Sequence, residues 1–117
     1  MNNVTIVGNL SGDPEVRYMS DGRPIAKFSV AVNRRITKNG EAEDRLDGFF
    51  PCVAWDKLAA HVVESLTKGT RVLVTGRLQQ RSWEAEDGSK RSTIEIQVEE
   101  VGAALRFATA DVKKADQ

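Results

Sequence analysis

The chain is short of the residues on which most small-protein chemistry depends. It has one cysteine, Cys52, and one histidine, His61. A lone thiol closes no internal disulfide, and one Cys with one His cannot assemble a tetrahedral zinc site. A single His also leaves only one imidazole base for a nucleophile–base–orienter triad, and no Gly-x-Ser-x-Gly motif accompanies it. No Gly-rich run ends in the Lys-Ser/Thr of a phosphate-binding loop, and the carboxylate pair Asp13/Glu15 reads as turn and edge residues. An enzyme, a metal site and a cofactor are therefore not expected. No stretch approaches the ~20 apolar residues of a membrane span. The opening MNNVTIVGNL has neither a basic n-region nor a long apolar run. The expectation is a cytoplasmic protein without membrane contact. Charge of one sign is missing too: 17 basic and 17 acidic residues leave a net charge of zero. Any electrostatic preference must come from where the charges sit rather than from their total.

What is present is a series of short alternating runs between turn residues, the pattern of a small all-β barrel or sandwich. At 117 residues the chain is one domain, large enough to bury a core without staples. Residues 3–10 read as a strand, Gly12-Asp13-Pro14 as a turn, and 15–19 as a short extended piece. Asp21-Gly22 marks a reversal. Residues 25–35 form a long strand with Ala26, Phe28, Val30 and Val32 inward; 37–47, with its Asn39-Gly40, is the polar tip of a hairpin that returns through 49–55. Leu58, Val62 and Leu66 recur at i, i+4 and i+8, giving one helix with Asp56 as N-cap and Gly69 as the left-handed residue after its end. Residues 70–83 and 92–101 are the last two strands, and 102 onward is tail. Three strands, one helix and two strands is the order of an OB-fold, a five-stranded Greek-key barrel with the helix between strands 3 and 4.

Side chains of a strand alternate between faces. In 70–83 the even positions Val72, Val74, Gly76 and Leu78 suit a core, while Arg71, Arg77, Arg81 and Trp83 share the outer face. Phe49, Val53 and Trp55 share one face of their strand, with Phe50, Cys52 and Ala54 on the other. Lys27, Asn33 and Arg35 oppose the apolar face of 25–35, and Glu95 and Glu99 project outward from the last strand. Between Lys68 and Arg91 basic residues outnumber acidic ones, and between Glu41 and Asp47 the excess is acidic, so the zero total is cancellation between regions. Arginines interleaved with aromatics suit a groove in which cations track phosphates and rings stack on bases of any identity. A lone Trp at a strand end also fits a core role, and outward arginines also fit plain solvated surface.

The segments Val4-Thr5-Ile6-Val7-Gly8-Asn9-Leu10, Asp13-Pro14-Glu15-Val16-Arg17-Tyr18, Leu66-Thr67-Lys68-Gly69, Val74-Thr75-Gly76-Arg77-Leu78 and Arg81-Ser82-Trp83 closely resemble bacterial single-stranded DNA-binding proteins. The resemblance runs from Asn3 to Phe107, so 1–107 is expected to be the OB-fold domain and 108–117 a short tail. It implies sequence-nonspecific binding of single-stranded DNA in replication, recombination and repair, at the nucleoid. Phe49, Trp55 and Trp83 match the family's base-stacking positions, and Lys57, Lys68 and Arg81 its cations along the DNA path. With Arg35, Arg71 and Arg77, these complete the candidate site. A further family tryptophan has no counterpart at Asn33-Arg34-Arg35-Ile36, where the Arg35 guanidinium plane offers a substitute. The resemblance also implies a homotetramer, with Ala104–Val112 pairing with a neighbouring subunit as in actinobacterial members. The family's long linker and acidic tip, which recruit replication and repair proteins, are not seen in Lys113-Lys114-Ala115-Asp116-Gln117. A truncated chain, a short paralogue and a phage- or plasmid-encoded member all fit that ending. An OB-fold protein-interaction or assembly module and a single-stranded RNA binder are the alternative readings.

Overall fold

A computed structural model of the chain describes residues 1–115; Asp116 and Gln117, the end of the expected tail, lie outside the described residues. The strands are β1 (Val4–Leu10), β2 (Glu15–Tyr18), β3 (Pro24–Lys38), β4 (Glu41–Trp55), β5 (Arg71–Glu84) and β6 (Lys90–Ala103), with the helix α1 (Asp56–Ser65) between β4 and β5. They hydrogen-bond in the order β1-β5-β6-β4-β3-β2, and β1 pairs again with β3, so five strands close on themselves while β2 is an added edge strand. Discounting β2, the helix falls between the third and fourth barrel strands, as the sequence indicates. All pairings are antiparallel except β4–β6, a short parallel contact of Cys52 with Ile96 and Val53 with Gln97.

Alternation builds the core directly. Ala26, Phe28 and Val30 of β3, Cys52 and Ala54 of β4, Val72 and Val74 of β5 and Ile96 of β6 turn into one cluster, and Ala59, Val62 and Leu66 plug it from the helix side. Two glycines permit the close approaches that closure demands. A Cβ on Gly8 would run into the carbonyl of Ala31 where β1 passes from β5 to β3, and one on Gly76 into the carbonyl of Gln97.

Several local expectations need correction. β3 and β4 are far longer than predicted, because the polar stretch 37–47 is a paired ladder and only Asn39-Gly40, both at positive φ, forms the turn. Leu78 is 42 % exposed rather than core: its partner Ile96 is the outermost β6 residue paired with β4, and past that rung β5 and β6 continue as a two-stranded ribbon. Asp56 is the first helical residue, at φ 58°, not the N-cap; Trp55 is in that position and no side chain caps the helix. Gly69 does not terminate the helix, which ends at Ser65, but occupies the turn closed by the Thr70 N–H donating to the Thr67 carbonyl (3.0 Å).

Candidate functional site

The outer faces of β3, β4, β6 and β5 form one continuous surface. Cross-strand register aligns Lys27, Val53, Gln97 and Arg77 in a row, with Trp55 opposite Ile25 one step along. Two shallow grooves meet across it, and a third, lined mostly from the other face of the β5–β6 ribbon, borders it. The central one, about 300 Å³, is walled by Lys27, Val53, Trp55, Gln80, Arg81 and Glu95, among others. It shares Lys27 and Glu95 with a groove running to Ser11 and Asp13, and Gln80 with one lined by Trp83, Lys90 and Arg91. Both tryptophans and three cations, Lys27, Arg81 and Arg91, thus lie on one face.

Three of its side chains, Trp55, Arg81 and Trp83, are held in place. The Trp55 Nε1–H donates to Oε1 of Gln97 at 2.9 Å. Arg81 donates from Nε to Oε1 of Glu95 (3.2 Å), and its guanidinium lies over the Trp83 ring, 4.7 Å from the centroid. Glu95 is 7 % exposed, which corrects the reading of it as an exposed acid. It does project from the outer face, but its neighbours cover it, so a carboxylate stands between Lys27 and Arg81 in the wall of the central groove. Arg81's charge is therefore partly cancelled, while its terminal nitrogens keep donors to spare. The Cys52 thiol at the floor of the Asp13 groove is pushed up to about 12 by burial, so it stays protonated and unreactive at neutral pH.

The remaining predicted site residues divide. Phe49 shares the outer face of β4 with Trp55 and is 59 % exposed, about 20 Å of strand away. Arg77 is exposed opposite Gln97. Lys57 is exposed in the first turn of α1, two residues past Trp55. Lys68 stands in the turn after α1, its backbone N–H donating to Oδ1 of Asp13 at 2.8 Å, which sets it at the Asp13 end of the path. Arg35 lies out on the β3–β4 arm opposite Asp44. Arg71 is not brought to the grooves: it is about 33 Å of strand from Arg81, and its guanidinium lies over Phe107 of the tail (5.3 Å). Sequence reasoning missed Lys27, Lys90, Arg91 and Gln97 as wall residues. Parity does put Lys27 on the outer face, but only the register reveals what it faces. The tail is held to β5 by the Ala104 N–H donating to the Arg71 carbonyl (2.8 Å), and Ala110–Lys113 folds against the chain's own α1 around a separate cavity of about 290 Å³. Among the described residues, no group of three or more His, Cys, Asp or Glu is placed to hold a metal ion, and no helix is long and apolar enough to cross a membrane.

The model of the single-strand binding protein family matches residues 1–104. The chain belongs to that family. Single-stranded DNA-binding proteins of Mycobacterium leprae and Bifidobacterium longum are each 48% identical to this member, over 97% and 95% of its length and 69% and 52% of theirs. A crystal structure of the small single-stranded DNA-binding protein from Streptomyces coelicolor superposes on it with a TM-score of 0.74 at 31% identity, covering 88% of this chain and 94% of that one. The closed barrel with its helix between β4 and β5 is thus the OB-fold of the single-strand binding family.

Proposed function

We propose that this protein binds single-stranded DNA without reading its sequence, as a binding protein and not an enzyme, in the settings of replication, recombination and repair. The observation that carries the reading is the sheet face on which Trp55 and Trp83 lie together with Lys27, Arg81 and Arg91. Indole rings stack on any base, since every base has a π-face, and the cations follow a backbone of constant charge. Phe49 extends the stacking surface along β4, and Lys57, Lys68, Arg77 and Arg35 supply further phosphate contacts around it. The path runs over an open sheet face rather than into a closed pocket, which suits a polymer with two free directions. Fluorescence titration with oligo(dT) at several salt concentrations tests this. Stacking on Trp55 and Trp83 should quench emission, and log affinity should fall with log salt at a slope of about −0.7 per phosphate neutralised. No quenching, or an affinity indifferent to salt, refutes it; oligo(rU) in parallel reports any preference for the sugar.

The same reading extends to assembly as a homotetramer. Leu73 on the outer face of β5 and Leu105 and Phe107 on the tail are exposed apolar side chains remote from Trp83 along the strand, the kind of surface a sister subunit covers. Sedimentation should give four chains, and cutting after Val101 should weaken the tetramer more than the barrel. Equally tight assembly by the shortened chain removes the tail from the interface.

A further inference from the structure

The turn between β2 and β3 brings to Trp55 a cation that belongs to none of the strand faces described above. Gly22, at φ 90°, lets the chain reverse, and the hairpin is closed by the Met19 N–H donating to the Arg23 carbonyl (2.8 Å) and the Gly22 N–H donating to the Met19 carbonyl (2.9 Å). Asp21 then fixes Arg23 twice. Its Oδ1 accepts the Arg23 backbone N–H at 3.1 Å, and its Oδ2 accepts Nε at 3.0 Å. The same two bonds, the backbone one foremost, hold the Asp21 carboxyl below the usual carboxylate range. So placed, the guanidinium lies over Trp55, with Cζ 5.7 Å from the ring centroid, while Gln97 holds the indole nitrogen. Arg23 is not among the walls of the central groove.

Asp21 engages only Nε. Among the described residues the two terminal nitrogens of Arg23 have no hydrogen-bond partner, and the side chain is half exposed. An exposed Asp–Arg pair adds little to stability, so its fixed position beside Trp55 is not explained by holding the fold. A guanidinium gripped at Nε presents its end-on pair of N–H donors in the fork that fits a phosphate. We propose that Arg23 is a further contact of the strand, donating its terminal nitrogens to the phosphate of the nucleotide whose base stacks on Trp55. The proposal rests on the single-strand binding reading above and adds to it a residue outside the sheet face.

The experiment is anisotropy titration of end-labelled oligo(dT) with the full chain, Arg23→Ala, Arg23→Gln and Arg23→Lys, across a salt series, with melting of each variant followed by circular dichroism. Arg23→Ala and Arg23→Gln should bind several-fold more weakly at low salt, with the salt slope shallower by about 0.7, the share of one phosphate contact in a single strand. Arg23→Lys should keep the slope and recover part of the affinity. If Arg23→Ala melts early, Arg23→Gln, which keeps most of the side chain, supplies the comparison. An unchanged slope and affinity overturn the proposal, and so does tighter binding, which would make Arg23 a cover that bases must displace. If the parent itself does not bind oligo(dT), the functional reading falls and the contact with it; if the parent binds and the variants match it, only Arg23 is lost.

Discussion

Replacing Trp83 by Ala separates the two roles a tryptophan can have at the end of a strand. The ring is 42 % exposed, so just over half of its surface is covered, mainly by its own ribbon and the guanidinium of Arg81. A tryptophan side chain of 150–250 Å², buried to that extent at 25 cal/mol per Å², stabilises by about 2–4 kcal/mol. A compact denatured state trims this by roughly a quarter, leaving about 2–3 kcal/mol. That is below the roughly 3–5 kcal/mol lost when a fully buried Trp is truncated. Binding should suffer comparably: one base–aromatic stack is worth about 1–3 kcal/mol, which is a loss of about 5- to 150-fold in affinity. Thermal melting and oligo(dT) titration on the same protein give both numbers, with affinity expressed per folded molecule. Trp83→Phe keeps a π-face beside Arg81 and should recover most of the affinity while remaining somewhat less stable than the parent. The reasoning is refuted if Trp83→Ala binds as tightly per folded molecule as the parent, or if Trp83→Phe binds no better than Trp83→Ala.

Two other substitutions probe the groove and the barrel. Glu95→Gln keeps an oxygen for Arg81 but removes the acid from the groove, so low-salt affinity for oligo(dT) should rise by on the order of 1 kcal/mol, and the salt dependence should steepen; weaker binding would mean that the ion pair matters for orienting Arg81 rather than for its charge. Gly76→Ala drives a methyl into the carbonyl of Gln97 and should cost about 1–3 kcal/mol in chemical denaturation, whereas Gly12→Ala, which meets nothing within 4 Å, should melt close to the parent; equal losses at both positions would contradict the close approach.

Parity placed Trp55, Trp83, Arg77 and Arg81 on outer faces because a two-residue period survives any error in strand ends. It could not show that Trp55 and Trp83 share a path. That depends on the short parallel contact of β4 with β6, between segments more than forty residues apart. The same contact explains Glu95, whose outward direction was legible and whose burial was not. Leu78 failed for the opposite reason: its alternation continues the core pattern, but it stands on the barrel's last rung, where its partner Ile96 is buried and it is not. The charged stretch from Thr37 to Asp47 gave no strand signal because neither of its faces is buried, and burial is what makes alternation visible. Only its Asn39-Gly40 turn carried a local signature. The bulge at Thr75/Gly76 likewise shifts the inward positions of β6 from Ile96 and Val98 to Val101, a change of phase that no count by twos anticipates.

The β3–β4 arm joins the barrel at a single irregularity. Val32 pairs with Gly48 and Asn33 with Leu46, which leaves Asp47 as the surplus residue of β4, its Oδ1 held by Nε of Arg34 at 3.0 Å. With Asp47 counted, the arm carries as many acids as bases, and it lends no side chain to the main core cluster. Its length is therefore an independent variable of the molecule. Residues can be added or removed beside Asn39-Gly40 without disturbing the barrel, but only in matched pairs, one to each strand. A single insertion has no partner across the ladder and would be taken up as a longer loop or a second bulge, with Arg35 left opposite Asp44. Two such pairs would carry the turn about 7 Å farther out and restore each remaining side chain to its present side. The reach of the protein along a bound polymer is thus adjustable in discrete steps, with the stacking rings left where they are.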